Sequence, residues 1–120
     1  MHARQIGDWG EKLTRKYLRK KGYRFIASNF QCRMGEIDLI VEDRYTLVFV
    51  EVKTRKSATF AQGREFVDYH KQHRLRATAA YYLSQKPTDK PVRFDVVEIY
   101  APEGADTKSP IIHHLEDAFQ

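Results

Sequence analysis

Cysteine occurs once in this chain of 120 residues, at Cys32. A single thiol excludes an intrachain disulfide framework and a cysteine-rich zinc site. No apolar run approaches the roughly 20 residues that cross a bilayer as a helix. Residues 1–10 also lack the apolar core of a signal peptide. These absences set the expectation of a cytoplasmic protein with no membrane partner. Internal repeats and low-complexity segments are absent too. What remains is a soluble globular composition, 42% hydrophobic and 31% charged, with a length that suits one domain over residues 1–120.

Charge is unevenly distributed. The net charge of +5 divides into +7 over residues 1–33, −2 over 34–55, +4 over 56–91 and −4 over 92–120. Two basic regions bracket a short, acidic, strongly apolar stretch. Such a pattern suits a polyanion held by the basic elements with carboxylates between them for chemistry. It also suits an ordinary solvated surface.

Apolar periodicity predicts the elements. Ile6, Trp9, Leu13 and Tyr17 recur at helical spacing within residues 5–21, and Gly22 after Lys20 and Lys21 is a helix stop. Residues 23–30, 36–42 and 45–54 read as strands, the last two as an antiparallel hairpin. Residues 55–66 read as a loop. A second helix spans 67–85 and ends at Lys86-Pro87. Residues 92–100 form another strand, and Ile111 to Leu115 a short edge strand. The order α-β-β-β-α-β(-β) implies an α/β fold, a mixed central sheet flanked by helices.

Four residues in this scaffold carry chemical potential. Glu51 and Lys53 are two apart on a strand, so their side chains share a face. A strand this apolar is usually central, where ionised groups are costly unless paired or metal-bound. Asp38 sits between Ile37 and Leu39 in a similar setting, and the hairpin can bring it beside Glu51. Close carboxylates share either a proton or a divalent cation, and hard oxygen donors suit Mg²⁺ (or Mn²⁺). A nearby lysine then serves the attacking water or the phosphoryl charge. The competing reading is an inter-strand salt bridge from Lys53 to Asp38 or Glu51. For Glu11, in the first helix, it is a solvated carboxylate.

The pattern Asp38 followed by Glu51-Val52-Lys53 resembles the Asp…Glu-x-Lys core of restriction-endonuclease-like nucleases. Over residues 7–119 the chain also resembles the YraN-like family of small bacterial proteins. Gly10-Glu11, Gly22-Tyr23, Asn29, Gly35-Glu36-Ile37-Asp38-Leu39-Ile40 and Val48-Phe49-Val50-Glu51-Val52-Lys53-Thr54-Arg55 carry that resemblance. So do Lys71, Arg74-Leu75, Arg93-Phe94-Asp95-Val96-Val97 and Ala118-Phe119. It implies a restriction-endonuclease-like fold in which Glu11 joins Asp38 and Glu51 around a divalent metal. It further implies metal-dependent hydrolysis of DNA phosphodiesters, on branched or junction DNA, by a homodimer. Gln31 departs from the family's frequent arginine, and Thr14 from its usual alanine.

Around this core, Arg33 and Arg55 are candidate phosphate clamps through bidentate guanidinium contacts, with pairing to Glu36 as the alternative. Lys71 lies one turn before Leu75, on the helix face expected to meet the sheet, and Arg74 joins it as a nucleic-acid contact. Asp95 reads as structural. The aromatic residues Trp9, Phe30 and Tyr45 read as core. His113 and His114 alternate in direction along a strand and so do not chelate one metal jointly. Two functions remain open on the sequence: a Mg²⁺-dependent endonuclease, and a non-catalytic nucleic-acid-binding module that keeps the fold. A protein-interaction domain is a weaker third.

Overall fold

A computed structural model describes residues 3–56 and 68–120 of the chain. Helix α1 spans Ala3–Lys20, strands β1 Arg24–Cys32, β2 Gly35–Glu42 and β3 Leu47–Arg55. Helix α2 spans Tyr69–Gln85, followed by β4 Val92–Tyr100 and β5 Ile111–Phe119. The sheet order is β1-β2-β3-β4-β5. All neighbouring pairs are antiparallel except β3 and β4, which run parallel. Parallel neighbours need a long crossover, and the segment containing α2 supplies it. The sheet is therefore mixed and open, flanked by two helices, as in a restriction-endonuclease-like α/β fold.

Local chemistry sets the helix ends. α1 stops in a Schellman arrangement: the Tyr23 amide donates to the Leu18 carbonyl and the Gly22 amide to that of Arg19, each at 3.0 Å. Gly22 has φ +98°, a backbone region that favours glycine. α2 begins one residue after Asp68, whose carboxylate accepts from the Lys71 amide at 2.8 Å. The helix expected from residue 67 thus starts at 69. Of the loop expected over 55–66, Arg55 belongs to β3, and 57–66 lie outside the described residues.

Alternation along the strands divides the core into two layers. Leu39, Val41, Val48, Val50, Val97 and Ile99 face α1, where Leu18 is buried and Trp9, Leu13 and Tyr17 pack beside it. Ile40, Phe49 and Val96 face α2, which contributes Leu75, Ala79 and Tyr82, and Ile37 joins this layer where the alternation of β2 breaks at Asp38. An aromatic row crosses this second layer: Phe49 stacks on Phe94 and Phe94 on Phe119, with Phe30 and Tyr82 meeting edge to face. Tyr45, by contrast, is exposed.

The last strand runs four residues beyond the expected Leu115, to Phe119. Asp95 explains the extension. The β4–β5 register shifts between Phe94 and Val96, and the buried Asp95 carboxylate accepts from the Asp117 amide at 2.9 Å, where the chain has φ +52°. Arg93 and His114 Nε2 also bond Asp95, at 2.8 and 2.7 Å. The carboxylate thus stands in for missing ladder partners and lets the strand continue.

Helix α1 approaches β3 closely at Gly10. A Cβ there would lie 2.6 Å from Thr54 Oγ1. Thr14, fully buried, turns its hydroxyl back onto the Gly10 carbonyl at 2.8 Å, so its departure from alanine leaves no unsatisfied group. Gly10→Ala is expected to destabilise the fold by about 1–3 kcal/mol through overpacking, despite a helix-propensity gain of about 1 kcal/mol. Adding Thr54→Ala is expected to restore most of the loss. Urea denaturation of both variants checks this; a Gly10→Ala protein as stable as the parent would show that the approach is not tight.

Candidate active site

The hairpin ladder between β2 and β3 begins at Glu42↔Leu47 and ends at Leu39↔Val50. Beyond that pair the strands lose register, and Asp38 takes over. Its Oδ2 accepts from the Val52 amide at 2.8 Å, replacing a ladder carbonyl. This bond aims the Asp38 carboxyl between the strands, in hydrogen-bond contact with Glu51. Glu51 is only 7% exposed. The two acids meet where the paired part of the hairpin ends.

Lys53 follows on β3, and Lys71 and Arg74 come from α2. With Glu36, Gln31 and the two acids they line a cleft of about 600 Å³. Lys71 Nζ lies 3.1 Å from Glu51 Oε2. The ion pair at this end of the sheet thus comes from the helix. The intervening segment makes the partner invisible to strand periodicity, although Lys71's position one turn before Leu75 marked it as facing the sheet. Gln31 occupies the cleft wall, so its departure from arginine leaves the cleft without one cation.

The electrostatics follow from burial and crowding. Burial, then the neighbouring Glu51, pushes the Asp38 carboxyl up to about 8, against the opposing effect of the Val52 amide. Burial and the adjacent Lys71 pull Lys53 below its ordinary value. Lys71, although burial opposes it, is raised by Lys53 and Glu51. The raised Asp38 carboxyl favours its protonated form at neutral pH, and the Lys71 ammonium lies against Glu51.

Glu11 stands apart. It lines a neighbouring recess of about 360 Å³ that also contains Asp38 and Lys53. Its Oε2 accepts from Asn29 Nδ2 at 3.0 Å, while burial raises its carboxyl. Asn29 has φ +51°, a strained left-handed residue that asparagine tolerates better than most. The structure thus brings together Asp38, Glu51, Lys53, Lys71 and Arg74, and holds Glu11 beside them on its own partner. Arg33 lies exposed in the β1–β2 turn and Arg55 at the end of β3; neither lines the cleft. Glu98 went unnoticed in the sequence. It is fully buried opposite Lys53 in the β3–β4 register, and among the described residues neither carboxylate oxygen has a hydrogen-bond partner. Burial raises its carboxyl. Only the sheet register, not spacing, reveals it.

Among the described residues no three His, Cys, Asp or Glu side chains converge closely enough to hold a metal by themselves. The donor set is two carboxylates. That set still fits a hard cation such as Mg²⁺, which is usually held by one or two carboxylates, with waters and substrate phosphates completing its shell.

Known sequences bear on this arrangement. The pattern described as "Uncharacterised protein family UPF0102" matches residues 10–99, a span that includes every cleft residue named above. The chain belongs to this family. UPF0102 is a small bacterial family related to the restriction-endonuclease-like superfamily. A UPF0102 protein of Caldicellulosiruptor bescii is 44% identical, over 99% of this chain and 100% of that protein. One of Syntrophomonas wolfei is 43% identical, over 97% of this chain and 98% of its own length. Another, of Nitrosococcus oceani, is 43% identical over 98% and 93%. The relatives match end to end, so the UPF0102 likeness extends across the whole fold and not only the carboxylate motif.

The raised Asp38 carboxyl has a thermodynamic signature. An unfolded aspartate titrates near pH 3.9, whereas Asp38 in the fold is pushed up to about 8. Between these values the fold binds a proton that the unfolded chain has released, so stability falls as pH rises through the window. Asp38→Asn keeps an acceptor for the Val52 amide and removes the proton. The variant is expected to gain stability over the parent progressively from about pH 4 to 8, with no gain below. Urea denaturation across pH measures the difference, and a constant offset would contradict a raised Asp38 carboxyl.

Proposed function

We propose that the chain binds nucleic acid through this cleft, on a nuclease-like fold. The carrying observation is the internal neutralisation of its acids. Lys71 lies 3.1 Å from Glu51, and burial beside Glu51 pushes the Asp38 carboxyl toward its protonated form, which leaves Lys53 and Arg74 to meet phosphate. Ionised carboxylates at the floor would repel a phosphodiester. Neutralised ones admit it without a bound cation. Arginine adds a planar bidentate contact and the lysines point charges.

A second reading, a metal-dependent endonuclease acting on DNA, is favoured by the carboxylate pair itself. Binding alone does not require two buried acids in contact, and their desolvation is costly. Asp38 and Glu51 would hold Mg²⁺ or Mn²⁺, with Glu11 near enough to reach it through water. A bound cation would supply Lewis acidity and a more nucleophilic water. Lys53, lowered by burial, is placed to hold or move the proton of a water attacking the phosphorus. Lys71 would release Glu51 and turn to the phosphate. Branched DNA as substrate and a two-fold dimer follow from the family resemblance and belong to this reading.

Anisotropy with labelled duplex and four-way DNA in Ca²⁺, with cleavage assays in Mg²⁺ and Mn²⁺, separates the two readings. Under both, Lys71→Ala with Arg74→Ala is expected to weaken DNA binding about tenfold at low salt, with a shallower salt dependence. Unchanged affinity would remove the cleft from DNA binding. Cleavage lost in both Glu51→Gln and Lys53→Ala, with the fold intact, selects the endonuclease. Absence of cleavage on every substrate, with binding retained, selects the binding module.

A further inference from the structure

Lys12, Arg15, Lys16 and Arg19 recur at spacings of three, one and three, one stripe along α1. The stripe borders a groove of about 530 Å³ between α1 and the start of β1, where Arg24 and Phe25 form the other wall. Among the described residues no acidic side chain lines it, and it shares none of them with the carboxylate cleft. Arg24 is paired with Glu42. Among the described residues Lys12, Lys16 and Arg19 have no acidic partner. Like charges one helical turn apart destabilise a helix, so this stripe carries a cost that an external anion would relieve.

The groove also holds an aromatic platform. Phe25 is 41% exposed, and the Arg15 guanidinium lies 3.7 Å from its ring centroid. An exposed ring and a guanidinium in contact form a flat surface on which a nucleobase can stack. The stripe from Lys12 to Arg19 rises roughly 10 Å at 1.5 Å per residue.

We propose that this groove is a second nucleic-acid site and that it takes an unpaired strand, with phosphates along Lys12, Lys16 and Arg19 and a base against Phe25 and Arg15. A duplex keeps its base faces stacked inside and cannot present one to Phe25. An acidic peptide offers the charge but no planar face. The site uses no carboxylate and no metal, so it stands independently of the reading of the cleft.

The test is anisotropy of the full chain in EDTA, across a salt series. The probes are labelled oligothymidine, a blunt duplex of equal phosphate count, and polyglutamate as competitor. Lys12→Gln with Lys16→Gln and Arg19→Gln changes only exposed side chains, and circular dichroism checks that the helix persists. This triple variant is expected to lose about tenfold or more in oligothymidine affinity, with a salt slope shallower by about two. Phe25→Ala is expected to weaken oligothymidine severalfold and leave the duplex unchanged. The cleft variant Lys71→Ala with Arg74→Ala is expected to keep most oligothymidine affinity. No oligothymidine binding by the parent would overturn the proposal, as would parent-like affinity in the triple variant. So would equal losses for duplex and single strand in Phe25→Ala, or polyglutamate competing as well as oligothymidine. Failure of the cleft variant alone sinks the cleft reading and leaves this one standing; failure of the groove variants alone does the reverse.

Discussion

The bond from the Val52 amide to Asp38 Oδ2 is the constraint on which the site depends. Two antiparallel strands that stayed paired would fill this position with backbone. Here the ladder stops at Leu39 and Val50, and one side chain takes the place of the next carbonyl. The parting creates space between β2 and β3, and the same carboxylate that closes the orphaned amide is pressed against Glu51. Opening the sheet and pairing the acids are one event. Everything else in the cleft answers it: Lys71 reaches across from α2, and Lys53 loses part of its preference for charge.

The fold handles its buried acids in three different ways. Asp38, crowded by Glu51, moves toward its protonated form, and Glu51 takes an ammonium, Lys71, from the helix. Asp95 instead stays ionised. Burial raises it, but His114, Arg93 and the Asp117 amide outweigh that and hold it below the ordinary carboxylate range. Glu98 has no hydrogen-bond partner among the described residues, and its carboxyl moves toward the neutral form. A buried charge survives where several donors converge on it, and gives way to a proton where they do not.

The two faces of the sheet also divide the work. α2 covers the face bearing the acids, and α1 covers the other, packing its apolar side on the core and turning a cationic stripe toward β1. Gly10 permits the approach that sets α1 against β3, and the next residue, Glu11, thereby comes to the recess beside Asp38. Four of the nine Lys and Arg residues behind the +7 of residues 1–33 lie on this stripe. Charge of one sign gathered on one helix face, beside an exposed aromatic ring, is a more specific feature than the segment's net charge.

Much of this was determined by the chain itself. Helical spacing from Ile6 to Tyr17, the glycine stop at Gly22 and the alternation in β2 through β4 are local rules, because each depends on residues within a turn or a strand. Period two alone put Glu51 and Lys53 on one face, and the short turn between β2 and β3 brought Asp38 near them. Other features needed the tertiary structure, because they join residues distant in sequence. The ladder's early end at Leu39, Lys71 on Glu51, Asn29 on Glu11 and Asp95 extending β5 through Asp117 are contacts across elements. Glu98 opposite Lys53 depends on the parallel register. Spacing shows which face a side chain takes; only packing shows what meets it there. The state of a buried acid is decided by that meeting, because desolvation and neighbouring charge, not residue type, set where its proton goes.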